Sequence, residues 1–242
     1  MKRLLDIVVS ILGLVMVSPM LLPVIFLVWV QDLCSPFYIA PRVGRGERLF
    51  YMVKLRSMVV NADKSGIDST SSNDNRITFI GHFIRRFKLD EITQLWNVLK
   101  GDMSLVGPRP NVKRETDLYT NDEKHLLSVT PGITDFSSIV FSDEGEVLAD
   151  KDDPDLSYNQ LIRPWKSRLG LFYVDNQSFW LDIQLIFYTI LAIINRNKAL
   201  VNISNLLQKM NADKELVRVS RREDTLMPTP PPGSTRVVTS RS

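Results

Sequence analysis

The sequence predicts a mainly α fold with minor β: an N-terminal membrane helix-break-helix, then a small polar domain carrying amphipathic helices. Three observations lead there. The apolar residues, 44% of 242, crowd into an N-terminal block without charge. Helical spacing of apolar residues recurs around Leu89–Leu99 and again from Phe179 to Ile194. Strand-like runs are few and short.

The first element is IVVSILGLVMVSPMLLPVIFLVWV, from Ile7 to Val30. As a straight helix it would extend about 36 Å, enough to cross a bilayer core. It is too long for the apolar part of a signal peptide, and no small-residue cleavage site follows. Cys34, preceded by the large Leu33, does not resemble a lipid-attachment site. Lys2 and Arg3 precede the run, and Arg42, Arg45, Arg48, Lys54 and Arg56 follow it, so the positive-inside tendency draws both ends toward the cytoplasm. Ser18-Pro19 lies mid-run, where proline removes a donor and favours a bend, and Ser18 can hydrogen-bond a freed carbonyl. A segment that enters one leaflet and returns is therefore expected, occupying residues 1–35.

The polar domain, residues 36–200, opens on PRVGRGERLFYMVKLRSM, where LFYMVKL reads as a strand or membrane-edge segment. NADKSGIDSTSSNDN is a loop by composition. In ITFIGHFIRRFKLDEITQLWNVLKGDMSLVGPRP, Leu89, Ile92, Leu95, Trp96 and Leu99 fall on one helical face and Gly101 is placed to stop the helix. The acidic run from Asp135 to Asp155 reads as a solvated loop rather than a metal site. FWLDIQLIFYTILAII, broken by Asp182 and Gln184, suits a helix at a membrane surface or one closing the core better than a crossing. Residues 201–242 read as a charged tail with at most one short helix, and LMPTPPPGSTRVVTSRS as disordered.

Several function classes drop out. One cysteine and two separated histidines exclude a disulfide framework and the usual zinc spacings. A net charge of +3 with no aromatic-interleaved basic repeat argues against nucleic acid. No Walker loop, HExxH or G-x-S-x-G occurs. A channel or transporter is disfavoured by a single apolar block without internal charge. What remains is Arg85, Arg86, Lys88, Asp90 and Glu91, followed by Gly101-Asp102 and Pro108-Arg109-Pro110. Asp90 and Glu91 fall in the first turn of a helix, and two readings stand. They cap the helix while the cations form weak surface pairs. Or they form a site where arginines hold phosphate oxygens and carboxylates hold a divalent cation, with an ionised aspartate able to attack phosphorus.

KRLLDIVVSILGLVMVSPM, RVGRGERLFYMVKLRSM, RITFIGHFIRRFKLDEITQLWNVLKGDMSLVGPRP and TPGIT, in that order, resemble the bacterial sugar transferases, the monotopic phosphoglycosyl transferases. The resemblance runs to about Ile194. It implies a catalytic domain at the cytoplasmic face of the inner membrane that transfers a phosphosugar from a UDP-sugar to polyprenol (undecaprenyl) phosphate. Mg²⁺ is the implied cofactor, UMP the leaving product, and a covalent aspartyl intermediate the route. By motif position Asp90 is the implied nucleophile and Glu91 its partner, both also metal ligands. Arg85 and Arg109, with Arg86, Lys54 and Arg56, are the implied phosphate-binding cations, and Ser18-Pro19 the membrane break. Membrane lipids and downstream glycosyltransferases are the implied partners. This sequence departs from relatives at Ser142, where arginine is usual, at Pro41 in place of glutamine and at Thr93 in place of proline. A membrane-anchored, non-catalytic assembly protein of a glycan pathway is the alternative reading.

Overall fold

The computed structural model describes residues 1–62 and 74–240. Most of the expected NADKSGIDSTSSNDN loop thus lies outside the described residues. Helix α1 runs Lys2–Asp32. A hairpin follows, β1 (Phe37–Val43) antiparallel to β2 (Leu49–Leu55), with Phe37 opposite Leu55 and Val43 opposite Leu49. Then come α2 (Phe79–Arg86), α3 (Leu89–Ile92), α4 (Leu95–Lys100) and β3 (Ser104–Val106). After α5 (Lys113–Thr116), β4 (Gly132–Thr134) pairs in parallel with β3. The remainder is helical: α6 (Phe136–Val140), α7 (Glu144–Val147), α8 (Pro154–Ser157), α9 (Arg163–Asn176), α10 (Phe179–Ile194), α11 (Arg196–Lys209) and α12 (Lys214–Ser220).

The expected non-helical break in α1 is absent: the helix continues through Pro19 and Pro23. Pro19 has no N–H for the carbonyl of Val15, four residues back. The Ser18 hydroxyl donates to that carbonyl at 2.8 Å, so the orphaned acceptor is satisfied and the neighbouring turns hold. Both ends of α1 are fastened to the same body. At the start, Lys2 Nζ donates to the Val106 carbonyl at 2.9 Å and pairs with Asp182 at 2.7 Å. Asp6, buried, accepts from Ser104 Oγ at 3.1 Å and from the Leu105 N–H at 2.9 Å. At the far end Arg56 donates to Asp32 Oδ1 at 2.6 Å. Between them Leu21, Val24 and Val28 pack with Leu55, Ile84 and Leu89. The opposite face of α1, including Ile11, Leu12, Val15, Met16, Leu22 and Phe26, is exposed.

The main core gathers Val98, Met103, Phe136, Ile139, Leu169, Tyr173 and Leu185. Helix α10 contributes Leu181 and Leu185 to it and leaves Trp180, Phe187, Ile190, Ile193 and Ile194 exposed. It therefore closes the core with one face and presents an apolar face outward. Its 16 residues make about 24 Å of helix, short of a bilayer core. Among the described residues one helix, α1, is long and apolar enough to cross a membrane.

Two expectations change here. The acidic run is not a loop: Asp135 and Asp153 cap α6 and α8 through the N–H groups of Ser138 and Leu156, and Asp143 pairs with Arg196 and Arg222. Nor is the segment after residue 200 a disordered tail. Helices α11 and α12 bury Ile203, Leu207 and Leu216 in the core. The Pro-rich end lies on α9 and its surroundings, where the Pro230 carbonyl accepts from Arg168 at 2.9 Å and the Thr229 N–H donates to the Gln160 carbonyl at 3.0 Å. Composition misled because proline-rich backbone has few internal bonds yet offers carbonyls to any fixed donor.

The short parallel pairing joins GPRP to TPGIT, two motifs far apart in sequence. A Cβ on Gly132 would lie 2.1 Å from the Gly107 nitrogen, so the approach demands glycine. Gly132→Ala is expected to lower stability by roughly 1–3 kcal/mol, toward the upper value because backbone must move. A thermal melt of the detergent-solubilised chain checks it.

Candidate active site

Four segments converge on Asp90 and Glu91. Phe87 and Lys88 link α2 to α3. Lys88 takes a left-handed conformation (φ 55) that turns the chain so that Leu89 is buried and the two carboxylates enter the first turn of α3. Helix α2 sits against the backbone of Ser57, where a Cβ on Gly81 would fall 1.9 Å from the Ser57 carbonyl oxygen. This seating delivers Arg85, whose Nε donates to Ser57 Oγ at 3.2 Å. Strand β2 delivers Lys54. It is clamped to α4 by buried Asn97, which accepts from the Val53 N–H at 2.9 Å and donates to the Tyr51 carbonyl at 2.7 Å. The loop after β3 delivers Arg109, and its neighbour Asn111 is tied to Tyr119 Oη at 2.7 Å and to the Val43 N–H at 2.9 Å. Thr93 donates to the carbonyls of Asp90 and Val53, linking α3 to β2.

The carboxylates are not equivalent. Glu91 Oε1 accepts from Arg109 Nη2 at 2.6 Å. Burial pushes the Glu91 carboxyl up, but the charges of Arg109, Lys88 and Lys54 and the Arg109 hydrogen bond outweigh it, holding its pKa at about 2. Asp90 Oδ1 is buried without a hydrogen-bond partner. Burial, then the charge of Glu91, pushes the Asp90 carboxyl up, against the pull of Lys54, Arg109 and Arg85. Glu91 therefore stays ionised and committed, whereas Asp90 keeps an oxygen available. Burial and the neighbouring Arg109 lower Lys54 to about 8, with Asp90 and Glu91 resisting the shift. No group of three metal-ligating side chains occurs among the described residues. Two carboxylates, one with an unpartnered buried oxygen, fit a hard cation that completes its shell with phosphate oxygens rather than a protein-only cage.

Of the residues singled out in the sequence, Asp90, Glu91, Lys54, Arg85 and Arg109 come together. Arg56 does not join them, because it is spent on Asp32 at the end of α1. Arg86 is exposed and lies over the Phe87 ring. Ser18 and Pro19 lie within α1. Ser142 Oγ accepts from Arg196 Nε at 3.0 Å, so a guanidinium from α11 is bound at the position where the family resemblance implied an arginine. Sequence reasoning passed over Glu144 and Lys166. They pair with one another, and Glu144 also acts electrostatically on Arg109 and Arg85. Glu144 was hidden in an acidic run, and only contact with a helix 20 residues further on separates it from its neighbours.

Lys54, Arg85 and Arg109 gathered around Asp90 and Glu91 make an arrangement that suits an anionic ligand of the phosphate class. Within that class the chain belongs to the bacterial sugar transferase family, whose model matches residues 1–196. It is 32% identical, over 80% of its length, to a UDP-N-acetylgalactosamine-undecaprenyl-phosphate N-acetylgalactosaminephosphotransferase from Aeromonas hydrophila. It is 35% identical over 82% to a UDP-galactose-lipid carrier transferase from Erwinia amylovora, and 32% identical over 79% to an exopolysaccharide production protein from Sinorhizobium fredii. The chain covers 43% and 41% of the first two relatives and 84% of the third.

Because Lys54 ionises near 8, it is charged below that pH and neutral above it. Affinity for inorganic pyrophosphate is expected to fall as pH rises through about 8, and Lys54→Arg should remove that fall. Calorimetric titration between pH 7 and 9 compares the two.

Proposed function

We propose that the chain transfers a phosphosugar from a UDP-sugar to polyprenol (undecaprenyl) phosphate, the first step in building a polysaccharide or glycoconjugate. The observation that carries this reading is the unpartnered, buried Oδ1 of Asp90 beside a glutamate already neutralised by Arg109. Asp90 attacks the phosphorus that bears the sugar, and the bond from that phosphorus to the UMP oxygen breaks. UMP leaves with the electron pair, and an aspartyl phosphosugar remains. An oxygen of polyprenol phosphate then attacks the same phosphorus, and the Asp90 carboxylate departs unchanged. Phosphates are ionised nucleophiles and leaving groups near neutral pH, so charge neutralisation matters more than proton transfer. Lys54, Arg85 and Arg109 provide that neutralisation, and Glu91 fixes Arg109. Mg²⁺, which Asp90 and Glu91 would hold together with donor oxygens, supplies further charge neutralisation at the phosphates when bound.

The acceptor is a lipid, and the exposed apolar faces of α1 and α10 supply a surface for it. Attachment of both ends of α1 to one body supports a monotopic arrangement in the inner membrane, with Lys2, Arg3 and the catalytic residues on the cytoplasmic side. An N-terminal tag in intact cells should then be reached from the cytosol alone, and labelling from the periplasm would replace this topology with a single crossing. The names of relatives specify galactose, N-acetylgalactosamine and glucose, so the sugar is a property of each member.

Asp90→Asn is expected to reduce Mg²⁺-dependent UMP release by at least about 10³-fold and to abolish the covalent adduct seen by intact-mass spectrometry. Retained turnover excludes the covalent route, and UDP in place of UMP excludes phosphosugar transfer.

A further inference from the structure

A cavity of about 220 Å³ shares no residue with the site around Asp90. The start of α1, the turn between β1 and β2, the segment before β4 and the end of α9 wall it, through Lys2, Arg45, Ser128, Thr130, Tyr173 and Gln177. It lies at the edge of the apolar surface. Leu4, two residues beyond Lys2, is 67% exposed, and Trp180, three beyond Gln177, is 72% exposed. The Lys2–Asp182 pair ties the starts of α1 and α10 together here, so the outward apolar faces of both helices begin beside the cavity.

The two cations differ. Lys2 Nζ commits its protons to the Val106 carbonyl, Tyr173 Oη and Asp182 Oδ2 at 2.9, 3.0 and 2.7 Å, and buried Asp182 matches its charge. Arg45 is exposed between Gly44 and Gly46 and makes no hydrogen bond or ion pair among the described residues. No carboxylate lines the cavity. One uncommitted guanidinium therefore stands beside the hydroxyls of Ser128 and Thr130 and the amide of Gln177. A guanidinium takes two oxygens of a phosphate, and neutral hydroxyls and an amide suit alcohol groups. An ammonium would find no carboxylate to receive it. At about 30 Å³ per water, the space equals roughly seven waters. That is below the roughly 300 Å³ of the smallest drug-sized sites, so it admits a headgroup and leaves acyl chains to the apolar faces. We propose that this cavity binds the headgroup of an anionic, hydroxyl-bearing glycerophospholipid, with Arg45 on its phosphodiester. The inference uses the apolar faces of α1 and α10 as a lipid-facing surface and does not depend on phosphosugar transfer.

The test titrates dihexanoyl phosphatidylglycerol into the full-length chain in a non-ionic detergent, followed by calorimetry. Dihexanoyl phosphatidylcholine and free glycerol phosphate are titrated alongside. Saturable binding of phosphatidylglycerol is expected, tighter than that of either comparison. Arg45→Ala should weaken it about tenfold or more, as loss of a charged hydrogen bond does, and Arg45→Lys should lose less. Arg48→Ala removes an exposed positive charge from the same turn but outside the cavity, and should stay within about twofold of the parent. Arg45 is exposed, so its variants should keep the parent's thermal transition. Equal losses from Arg45→Ala and Arg48→Ala would assign the effect to diffuse surface charge and overturn the proposal. Phosphatidylcholine binding as tightly as phosphatidylglycerol overturns the headgroup assignment, and glycerol phosphate binding as tightly makes the cavity a site for a free phosphate. Absence of saturable phosphatidylglycerol binding rejects it outright.

Discussion

Two adjacent carboxylates at the start of a four-residue helix repel one another and lose hydration when buried, so they need cations that their own segment does not hold in place. Much of the fold answers that requirement. Strand β2 brings Lys54, helix α2 brings Arg85, and the loop after β3 brings Arg109, which closes on Glu91 at 2.6 Å. Each carrier is fixed by a buried polar bond or a close backbone approach: Asn97 for the strand, Gly81 for α2, and the Gly107–Gly132 contact with Asn111 for the loop. Because Arg109 is committed to Glu91, the dyad is asymmetric, and that asymmetry leaves Asp90 an oxygen for chemistry.

The same economy shapes the apolar helix. A segment this hydrophobic would be expected to leave the polar domain, yet buried Asp6 and the Arg56–Asp32 pair bind its two ends to that domain. Breaking either contact would leave a desolvated charge, which is far costlier than a lost surface pair. The outward faces of α1 and α10 stay apolar, so the carboxylate–arginine cluster and an exposed apolar surface are carried by the same fold. On the proposed function, that surface would bring a lipid acceptor toward Asp90.

Residues that act alone or through their immediate neighbours were legible in the sequence. Ser18 beside Pro19 foretold the hydroxyl that serves the freed carbonyl, although the helix bridges the proline instead of breaking. The spacing from Leu89 to Leu99 foretold one helix stopped at Gly101, which the structure divides into α3 and α4 at Thr93-Gln94, burying Asn97 and Val98 and leaving Trp96 exposed; the run LFYMVKL foretold β2. Charges that look alike in sequence were not separable. Arg85 and Arg86 are adjacent, but on a helix their directions differ by about 100°, so one enters the site and the other stays outside. Arg56 lies two residues from Lys54, on the same side of an alternating strand, but it meets Asp32 of α1 just beyond the end of β2.

What the sequence determined by itself was the uncharged apolar run, the helical character of the central motif with its stop at Gly101, and a set of motifs recognisable as those of one family. These depend on local periodicity, proline and glycine chemistry, and residue order. Tertiary structure alone decided which cations serve the dyad, that Glu144 pairs with Lys166, that α11, α12 and the Pro-rich end fold onto the body, and that both ends of α1 are fastened to it. Those outcomes rest on contacts between residues tens of positions apart, and a side chain's charge specifies the kind of partner it needs but not which distant segment will supply it.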